Sequence, residues 1–139
     1  MGCSKVRVVG GVRKLRALLD EELRKIYSYN AQIRGTGFYL KPWHVVKKRT
    51  SRGERLYIYI GRYWWRLAYV GKRGRTSRIR WTYVGRSKPQ ELSGYPDPPP
   101  TALEGIRIAV EGDDIVMNRE DYEKLSRVLG EAKAECVEG

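Results

Sequence analysis

Aromatic and basic side chains alternate through the middle of this 139-residue chain. Eleven of the fifteen aromatic residues fall between Phe38 and Tyr83, with lysines and arginines interleaved among them. Unpaired nucleobases stack on aromatic rings, a contact worth roughly 1–3 kcal/mol per base, and Lys and Arg neutralise the phosphates between the bases. A duplex hides the faces of its bases from solvent. The pattern therefore predicts a surface that binds a single strand of nucleic acid.

The charge of the chain is strongly asymmetric. Residues 1–88 carry 23 Lys and Arg against 4 acidic residues, a net charge of +19, whereas residues 89–139 carry 5 against 12, a net charge of −7. Because a basic surface attracts polyanions, we expect the first part to meet phosphate. The predicted organisation is a basic, aromatic-rich nucleic-acid-binding domain at 1–88, a Pro-rich linker at 89–105 and an acidic hairpin–helix oligomerisation segment at 106–139.

The elements that would position these side chains predict an α+β fold. Apolar residues at three- and four-residue spacings between Val12 and about Arg34 indicate an amphipathic helix. Strands are expected at 38–48, 55–61, 63–70 and 77–86, joined as a four-stranded antiparallel meander with a bulge or tight corner at Gly61 and Arg62. The N-terminal helix should pack on one face of the sheet and leave the other open. A small β-hairpin at 106–117 and a C-terminal helix at about 119–136 complete the prediction.

Alternation along each strand assigns side chains to the two faces. Because Leu56, Ile58 and Ile60 should face the helix, Tyr57 and Tyr59 should lie on the open face. The complete predicted open face is Tyr39, Lys41, Trp43, Arg55, Tyr57, Tyr59, Trp64, Arg66, Arg78 and Arg80. A shift of one residue at the bulge would invert the assignment of a strand.

Nucleic-acid stacking is predicted for five aromatic members of this face: Tyr39, Trp43, Tyr57, Tyr59 and Trp64. The alternative is that the aromatic residues form core and cross-strand pairs. The pattern favours that alternative for Phe38, Trp65, Trp81 and Tyr83, and Trp43 and Trp64 fit both interpretations equally. Phosphate contacts are predicted for the basic members of the face and for the basic turns: Lys41, Lys47, Lys48, Arg49, Arg52, Arg55, Arg66, Lys72, Arg73, Arg75, Arg78 and Arg80.

The C-terminal helix carries a heptad-like apolar stripe. It predicts a homo-oligomer, a dimer or tetramer, with a seam made of Tyr122, Leu125, Leu129 and Ala132. Docking of the stripe onto its own domain fits the spacing equally well. The two cysteines, Cys3 and Cys136, have no zinc-binding spacing, and a bridge between them is left open.

Catalytic chemistry finds little support in the sequence. His44 is the only histidine, neither cysteine is near it in sequence, and no Cys/His cluster has metal-ligand spacing. We therefore expect no enzyme activity, catalytic residue, metal, cofactor or small-molecule substrate. The start of the chain lacks the apolar region of a signal peptide, and no apolar run approaches the length of a membrane span. The expected location is the cytoplasm, in association with the nucleoid.

A family resemblance is carried by the Tyr57-Ile-Tyr59 and Tyr63-Trp-Trp65 strands and by the basic turns. With the helix and strands of about residues 12–88, they resemble the ThermoDBP family and its relatives, the archaeal single-stranded-DNA-binding proteins of hyperthermophiles. The resemblance implies single-stranded DNA held on an aromatic and basic sheet surface with little sequence preference, in DNA maintenance. It also implies oligomers built through the C-terminal region. The expectation of DNA rather than RNA depends on this resemblance alone.

Other functions fit the same sequence. One is an architectural protein that binds double-stranded DNA or RNA, with basic hairpins such as residues 72–78 entering a groove. A DNA-binding module of a transposon-associated protein is also compatible. An alternative of another class is an assembly or ribosome-associated protein whose acidic tail is the working part.

Overall fold

Two helices and one large antiparallel sheet make up residues 3–137, the part of the chain that the computed structural model describes. This confirms the prediction of an α+β fold. The elements are β1 (Lys5–Val8), α1 (Gly11–Gln32), β2 (Phe38–Thr50), β3 (Gly53–Arg73), β4 (Thr76–Gly85), β5 (Arg107–Glu111), β6 (Asp114–Asn118), α2 (Arg119–Leu129) and β7 (Ala134–Cys136). A 3-10 turn at Gln90–Leu92 lies between β4 and β5.

Helix α1 forms where the apolar spacing predicts it. Its buried residues follow one another at three- and four-residue intervals, which is the period of one helix face. The helix begins at Gly11, where a Cβ atom would lie 2.7 Å from Cγ1 of Ile115. A glycine is therefore needed for the first turn of α1 to pack this closely on β6.

The strand order of the sheet is β2-β3-β5-β6-β1-β7. Strand β4 also pairs with β3, on the same edge as β5 but farther along the chain. Residues 106–137 of the predicted oligomerisation segment thus contribute β5 and β6, which lie between β3 and β1. The outermost residues of the two predicted end segments, 1–2 and 138–139, lie outside the described range. Neither helix within 3–137 is long and apolar enough to cross a membrane.

The largest departure from the sequence-based prediction is β3. The strands expected at 55–61 and 63–70 are one strand of 21 residues, which continues through Gly61 and Arg62. The register with β2 shifts at the place predicted for a bulge: Lys41 pairs with Tyr63 and Trp43 with Ile60, so Gly61 and Arg62 lie opposite Pro42 alone. The odd-numbered residues from 57 to 69 nevertheless stay on one face, since Tyr59 and Tyr63 both lie beside the ring of His44. In the pairing with β4 the register shifts again, between Tyr69 and Gly71.

Helix-facing side chains of the sheet form two apolar clusters with α1 and α2. The larger cluster joins the first half of α1 to the central strands and α2: Val8, Leu15, Leu18, Ile60, Leu103, Ile106, Ile108, Ile115, Met117 and Leu125. The smaller one lies under the second half of α1: Ile26, Tyr29, Ile33, Phe38, Leu40, Trp64 and Leu92. The opposite face of the sheet carries no helix within residues 3–137.

A buried arginine joins the Pro-rich segment to the sheet at the middle of β3. The Nη2 and Nε atoms of Arg62 donate to the carbonyl oxygen of Pro99 at 2.6 and 3.2 Å. Its Nη2 atom lies 3.8 Å from Oε2 of Glu22 on α1. Burial lowers the pKa of Arg62, and Glu22 and Glu104 oppose that shift. These contacts fix the 89–105 segment against the helix and the sheet.

The C-terminal stripe packs within its own molecule. Leu125 is fully buried in the larger cluster, and Tyr122, Leu129 and Ala132 pack against that cluster. Leu125 therefore cannot lie in an intermolecular seam as predicted, because its side chain is already covered. Helix α2 ends at Leu129, earlier than expected, since β7 follows and pairs with β1. Asn118 caps the start of α2 by accepting a hydrogen bond from the Asp121 amide.

A disulfide joins Cys3, which precedes β1, to Cys136, which lies in β7 and pairs with Val6. The bond closes a loop with a sequence separation of 133 residues. The chain-entropy model gives about 5 kcal/mol for a loop of this size, as an upper value. We expect reduction, or the Cys3→Ala/Cys136→Ala variant, to lower the free energy of unfolding by several kcal/mol. Urea unfolding with and without a reductant measures this, and an unchanged midpoint would contradict it.

The hydroxyl of Tyr29 donates to the carbonyl oxygen of Pro96 at 2.8 Å. Burial, and to a lesser extent Asp97, raises the pKa of Tyr29 above its ordinary value of 10.0. Its contribution to stability is therefore complete below about pH 10 and is lost as the pH rises through the folded pKa. We expect Tyr29→Phe to lower the free energy of unfolding by about 1 kcal/mol at pH 8, and by less above pH 10.

Urea unfolding at the two pH values measures the difference. The matched control is Tyr27→Phe, because Tyr27 is exposed and its hydroxyl makes no hydrogen bond within the described residues. It should leave the free energy of unfolding unchanged at both pH values. If the loss of unfolding free energy in Tyr29→Phe stays constant or grows with pH, the raised pKa of Tyr29 is contradicted.

Candidate nucleic-acid interface

The open face of the sheet carries a cluster of aromatic side chains from three strands. Strand pairing places Tyr39 of β2 opposite Trp65 of β3, and Trp65 opposite Tyr83 of β4. The rings meet mainly edge to face: Trp65 and Tyr83 at 5.3 Å between centroids, Tyr39 and Trp81 at 5.4 Å, and Trp65 and Trp81 at 6.1 Å. We call Tyr39, Tyr63, Trp65, Trp81 and Tyr83 the aromatic cluster.

Lys41 lies at the centre of this cluster. Its Nζ atom is 4.7 Å from the ring centroid of Trp81 and 5.0 Å from that of Trp65. Arg86 lies over Tyr63 at 5.8 Å. Cation–π contacts of this kind hold a positive charge beside exposed rings. The cluster therefore presents stacking surface and cationic charge within one patch.

The outer members of the cluster are accessible to a ligand. Trp81 is 43% and Tyr83 48% exposed, although both are large apolar side chains. The indole Nε1–H of Trp65 is buried and has no hydrogen-bond acceptor within residues 3–137. Burial is the largest cause that raises the pKa of Tyr39 and of Tyr63 above the ordinary value of 10.0.

The aromatic row continues from the cluster along β3. The ring of His44 lies 5.7 Å from that of Tyr63 and 6.4 Å from that of Tyr59. Beyond Tyr59, Tyr57 is surrounded by cations. The Cζ atom of Arg107 is 4.5 Å from the Tyr57 ring centroid, and the Nζ atom of Lys48 is 5.2 Å from it.

The five predicted stacking residues lie on both faces of the sheet. Tyr39, Tyr57 and Tyr59 lie on the open face, as expected. The placement of Trp64 there is wrong: it is 1% exposed and packs edge to face on Tyr29 in the smaller core cluster. Trp43 pairs with Ile60, a core residue, and is half-buried on the helix side of the sheet.

Three predicted basic members of the open face lie on the other side. Arg66 pairs with Phe38, covers its ring at 5.0 Å and forms an ion pair with Glu91 at 2.8 Å. Arg80 pairs with Ala68, and Arg78 alternates with Ile79 on the same side as Arg80. The cause is the uninterrupted course of β3, which moves its even-numbered residues and their partners to the helix side. Lys41 and Arg55 do lie on the open face.

A two-stranded arm extends beyond the rest of the sheet. Strand β2 pairs with β3 only as far as Arg66, so residues 68–80 have no neighbouring strand other than each other among the described residues. The strands turn through Gly74, whose φ of 65° favours glycine. The arm and its tip bring together five of the predicted phosphate contacts, all exposed: Lys72, Arg73, Arg75, Arg78 and Arg80.

The other predicted phosphate contacts lie at the opposite end of β3. The β2–β3 hairpin carries Lys47, Lys48, Arg49 and Arg52, which are all exposed. Of these, Lys48 pairs with Arg55 and contacts Tyr57 from the open face. The predicted contacts are thus divided between the two ends of one long strand.

Sequence reasoning missed several residues of this surface. Trp65, Trp81 and Tyr83 were predicted to be core, and Tyr63 and Arg107 were not predicted to take part. One sequence pattern could have placed Tyr63 and Trp65 on the open face. Large side chains occupy the odd positions of β3 on both sides of Gly61: Tyr57, Tyr59, Tyr63, Trp65, Leu67 and Tyr69. Arg107 had no signal, because its place beside Tyr57 follows from the pairing of β5 with β3.

Comparison of the chain with protein-family models, curated proteins and solved structures finds no match. Within residues 3–137, no group of three or more His, Cys, Asp or Glu side chains is arranged to hold a metal ion. The functional interpretation of this face therefore depends on its own geometry and charge.

The two kinds of tryptophan should differ in their effect on stability. We expect Trp64→Ala to lower the free energy of unfolding by about 3–5 kcal/mol, because it leaves a cavity in the core. Trp81→Ala should lower it by about 1 kcal/mol, the size of an edge-to-face contact. Urea unfolding followed by circular dichroism measures both values. Equal losses would contradict the assignment of the two faces.

Proposed function

We propose that the protein binds single-stranded nucleic acid, with DNA as the expected ligand, by stacking bases on the aromatic cluster and neutralising phosphates around it. The observation that carries the proposal is the exposure of Trp81 and Tyr83 beside Lys41 on a sheet face that no helix covers within residues 3–137. Exposed rings that are not needed to bury a core have unpaired bases as a natural ligand.

The electrostatics support the same ligand. Between Leu23 and Gln90 the only acidic residue is Glu54, so the surfaces around the cluster and along the arm are almost entirely cationic. Lys41 has no carboxylate within ion-pair distance in the described structure, and its Nζ atom lies over the rings of Trp65 and Trp81. A cation held between two rings can meet a phosphate while the rings meet bases. Stacking on ring faces is open to every base, so this mode of binding has little sequence preference.

A second candidate function follows from the arm. A two-stranded ribbon can enter the major groove of a duplex, and residues 68–80 form such a ribbon with cations at its tip. This function would use Lys72, Arg73 and Arg75 and would not need the aromatic cluster. The two functions therefore predict different sensitive residues.

Fluorescence anisotropy of a labelled 20-nucleotide strand and of its duplex tests the proposal. We expect the protein to prefer the single strand, which should also quench Trp65 and Trp81. Trp81→Ala/Tyr83→Ala should weaken single-strand binding at least tenfold, because each lost stacking contact is worth roughly 1–3 kcal/mol. The salt dependence should keep its slope, since no phosphate contact is removed.

Tyr95→Ala is the matched control, because Tyr95 is an exposed aromatic residue of the Pro-rich segment and not of the sheet. It should bind as the unchanged protein does. Equal or tighter duplex binding that survives Trp81→Ala/Tyr83→Ala and is lost in Arg73→Gln/Arg75→Gln would overturn the proposal in favour of the arm.

A further inference from the structure

A cavity of about 260 Å³ opens at the far end of the aromatic row from the cluster. It lies across β3, β5, β6 and β1, and we call it the Tyr57 pocket. Its lining is Lys5, Arg55, Tyr57, Arg107, Ala109, Val116, Met117 and Asn118. Strand geometry places Tyr57 roughly 26 Å from Trp65, at about 3.3 Å per residue. The pocket is therefore separate from the aromatic cluster.

The cations of this pocket are only partly neutralised. Arg55 forms an ion pair with Glu111 at 3.0 Å, and Glu111 is shared with Arg7. In contrast, neither the guanidinium group of Arg107 nor the ammonium group of Lys5 forms an ion pair in the described part of the chain, although the carboxylate of Asp121 accepts from the Arg107 backbone amide at 3.1 Å. The Nε atom of Arg55 is also buried without a hydrogen-bond partner there. The pocket thus has two cations and one buried donor available to an anion.

The floor of the pocket is apolar. Ala109 and Val116 pair with each other on the open face and are 6% and 4% exposed, and Met117 belongs to the larger core cluster. The floor thus offers a narrow apolar strip beside Arg107 and Lys5, whose side chains form no ion pair among the described residues. A nucleotide fits this lining, because its phosphate can meet the guanidinium group while its sugar or base covers the strip.

Tyr57 itself is not free for stacking as Trp81 is. Arg107 lies over its ring at 4.5 Å, and Lys48 and Arg55 lie within 5.2 and 5.5 Å of the same centroid. The ring instead holds three cations near one another, which it does by cation–π attraction. This arrangement favours a phosphate over a base beside Tyr57.

We propose that the Tyr57 pocket is a phosphate site that binds one nucleotide, through Arg107 and Lys5, independently of the aromatic cluster. The inference deepens the proposed function and rests on it for the class of ligand. Two kinds of phosphate in a strand fit this site: the terminal phosphate, and a phosphodiester within the strand. In either case the strand would run along β3 past Tyr59 and His44 to the cluster.

Isothermal titration calorimetry of the full chain with deoxyadenosine monophosphate tests the pocket directly. We expect saturable binding that Arg107→Gln weakens at least tenfold, without quenching of tryptophan fluorescence because Trp65 and Trp81 are distant. Arg127→Gln is the matched control, since Arg127 is an exposed arginine of α2 outside the pocket, and it should leave binding unchanged. No saturable binding, or equal binding in Arg107→Gln, would overturn the proposal.

Strands of one sequence distinguish the two sources: a 5′-phosphorylated, a 3′-phosphorylated and an unphosphorylated linear strand, and a circular strand. A terminal site predicts tighter binding of one phosphorylated end, and an internal site predicts equal binding of all four. In both cases Arg107→Gln should reduce the slope of log affinity against log salt for the preferred strand by about 0.7. An unchanged slope would count against the pocket.

These results separate the pocket from the proposed function. If deoxyadenosine monophosphate binds through Arg107 but Trp81→Ala/Tyr83→Ala has no effect on strand binding, the pocket stands and the stacking proposal falls. If the double variant weakens strand binding and Arg107→Gln changes neither ligand, the stacking proposal stands and the pocket falls.

Discussion

The unbroken course of β3 is the constraint on which the rest of the structure depends. Side chains alternate between the faces of a strand, and along β3 the odd positions from 57 to 69 stay on one side. Tyr57, Tyr59, Tyr63 and Trp65 consequently share the open face, although Gly61 and Arg62 lie between them. Arg62 could break this continuity, because a buried guanidinium is costly without partners. The carbonyl of Pro99 and the carboxylate of Glu22 supply those partners, so the strand passes through the core although Gly61 and Arg62 lie opposite the single residue Pro42 of β2.

Because β3 is so long, its two ends lie in different surroundings. Its first half is paired on both edges, by β2 and β5, and lies over the larger core cluster. Its last residues pair only with β4, and this ribbon has no helix beneath it within the described range. An isolated two-stranded hairpin is marginal in water. The contacts of Trp81 and Tyr83 with Tyr39 and Trp65 therefore do two things: they fix β4 to the sheet, and they hold exposed rings in place.

Much of the fold could be read from the sequence because it follows from local periodicity. The spacing of Leu15, Leu19 and Ile26 predicted α1, and the alternation around Ile58 predicted an open face with Tyr57 and Tyr59. The faces beyond Gly61 were inverted, because the predicted bulge allowed either alternation for the strand after it, and the set that contains Arg66 was placed on the open face. Arg66 then seemed too polar for the helix side, whereas it lies at the margin of the core on Phe38 and Glu91. The place of Arg107 depends on which strands pair, and pairing between distant segments leaves no local pattern.

The acidic C-terminal segment has a structural reason to be joined to the basic part. Strands β5 and β6 lie between β3 and β1, so this segment completes the sheet whose open face carries the cations. Glu111 and Asp114 pair with Arg7, and Glu111 also pairs with Arg55, so these two carboxylates offset the repulsion at the end of the row. Among residues 3–137, the side chains of Arg107 and Lys5 lie beside them without such partners. Selective neutralisation of this kind leaves positive charge at particular places on the face, which is the property that a site for a phosphate requires.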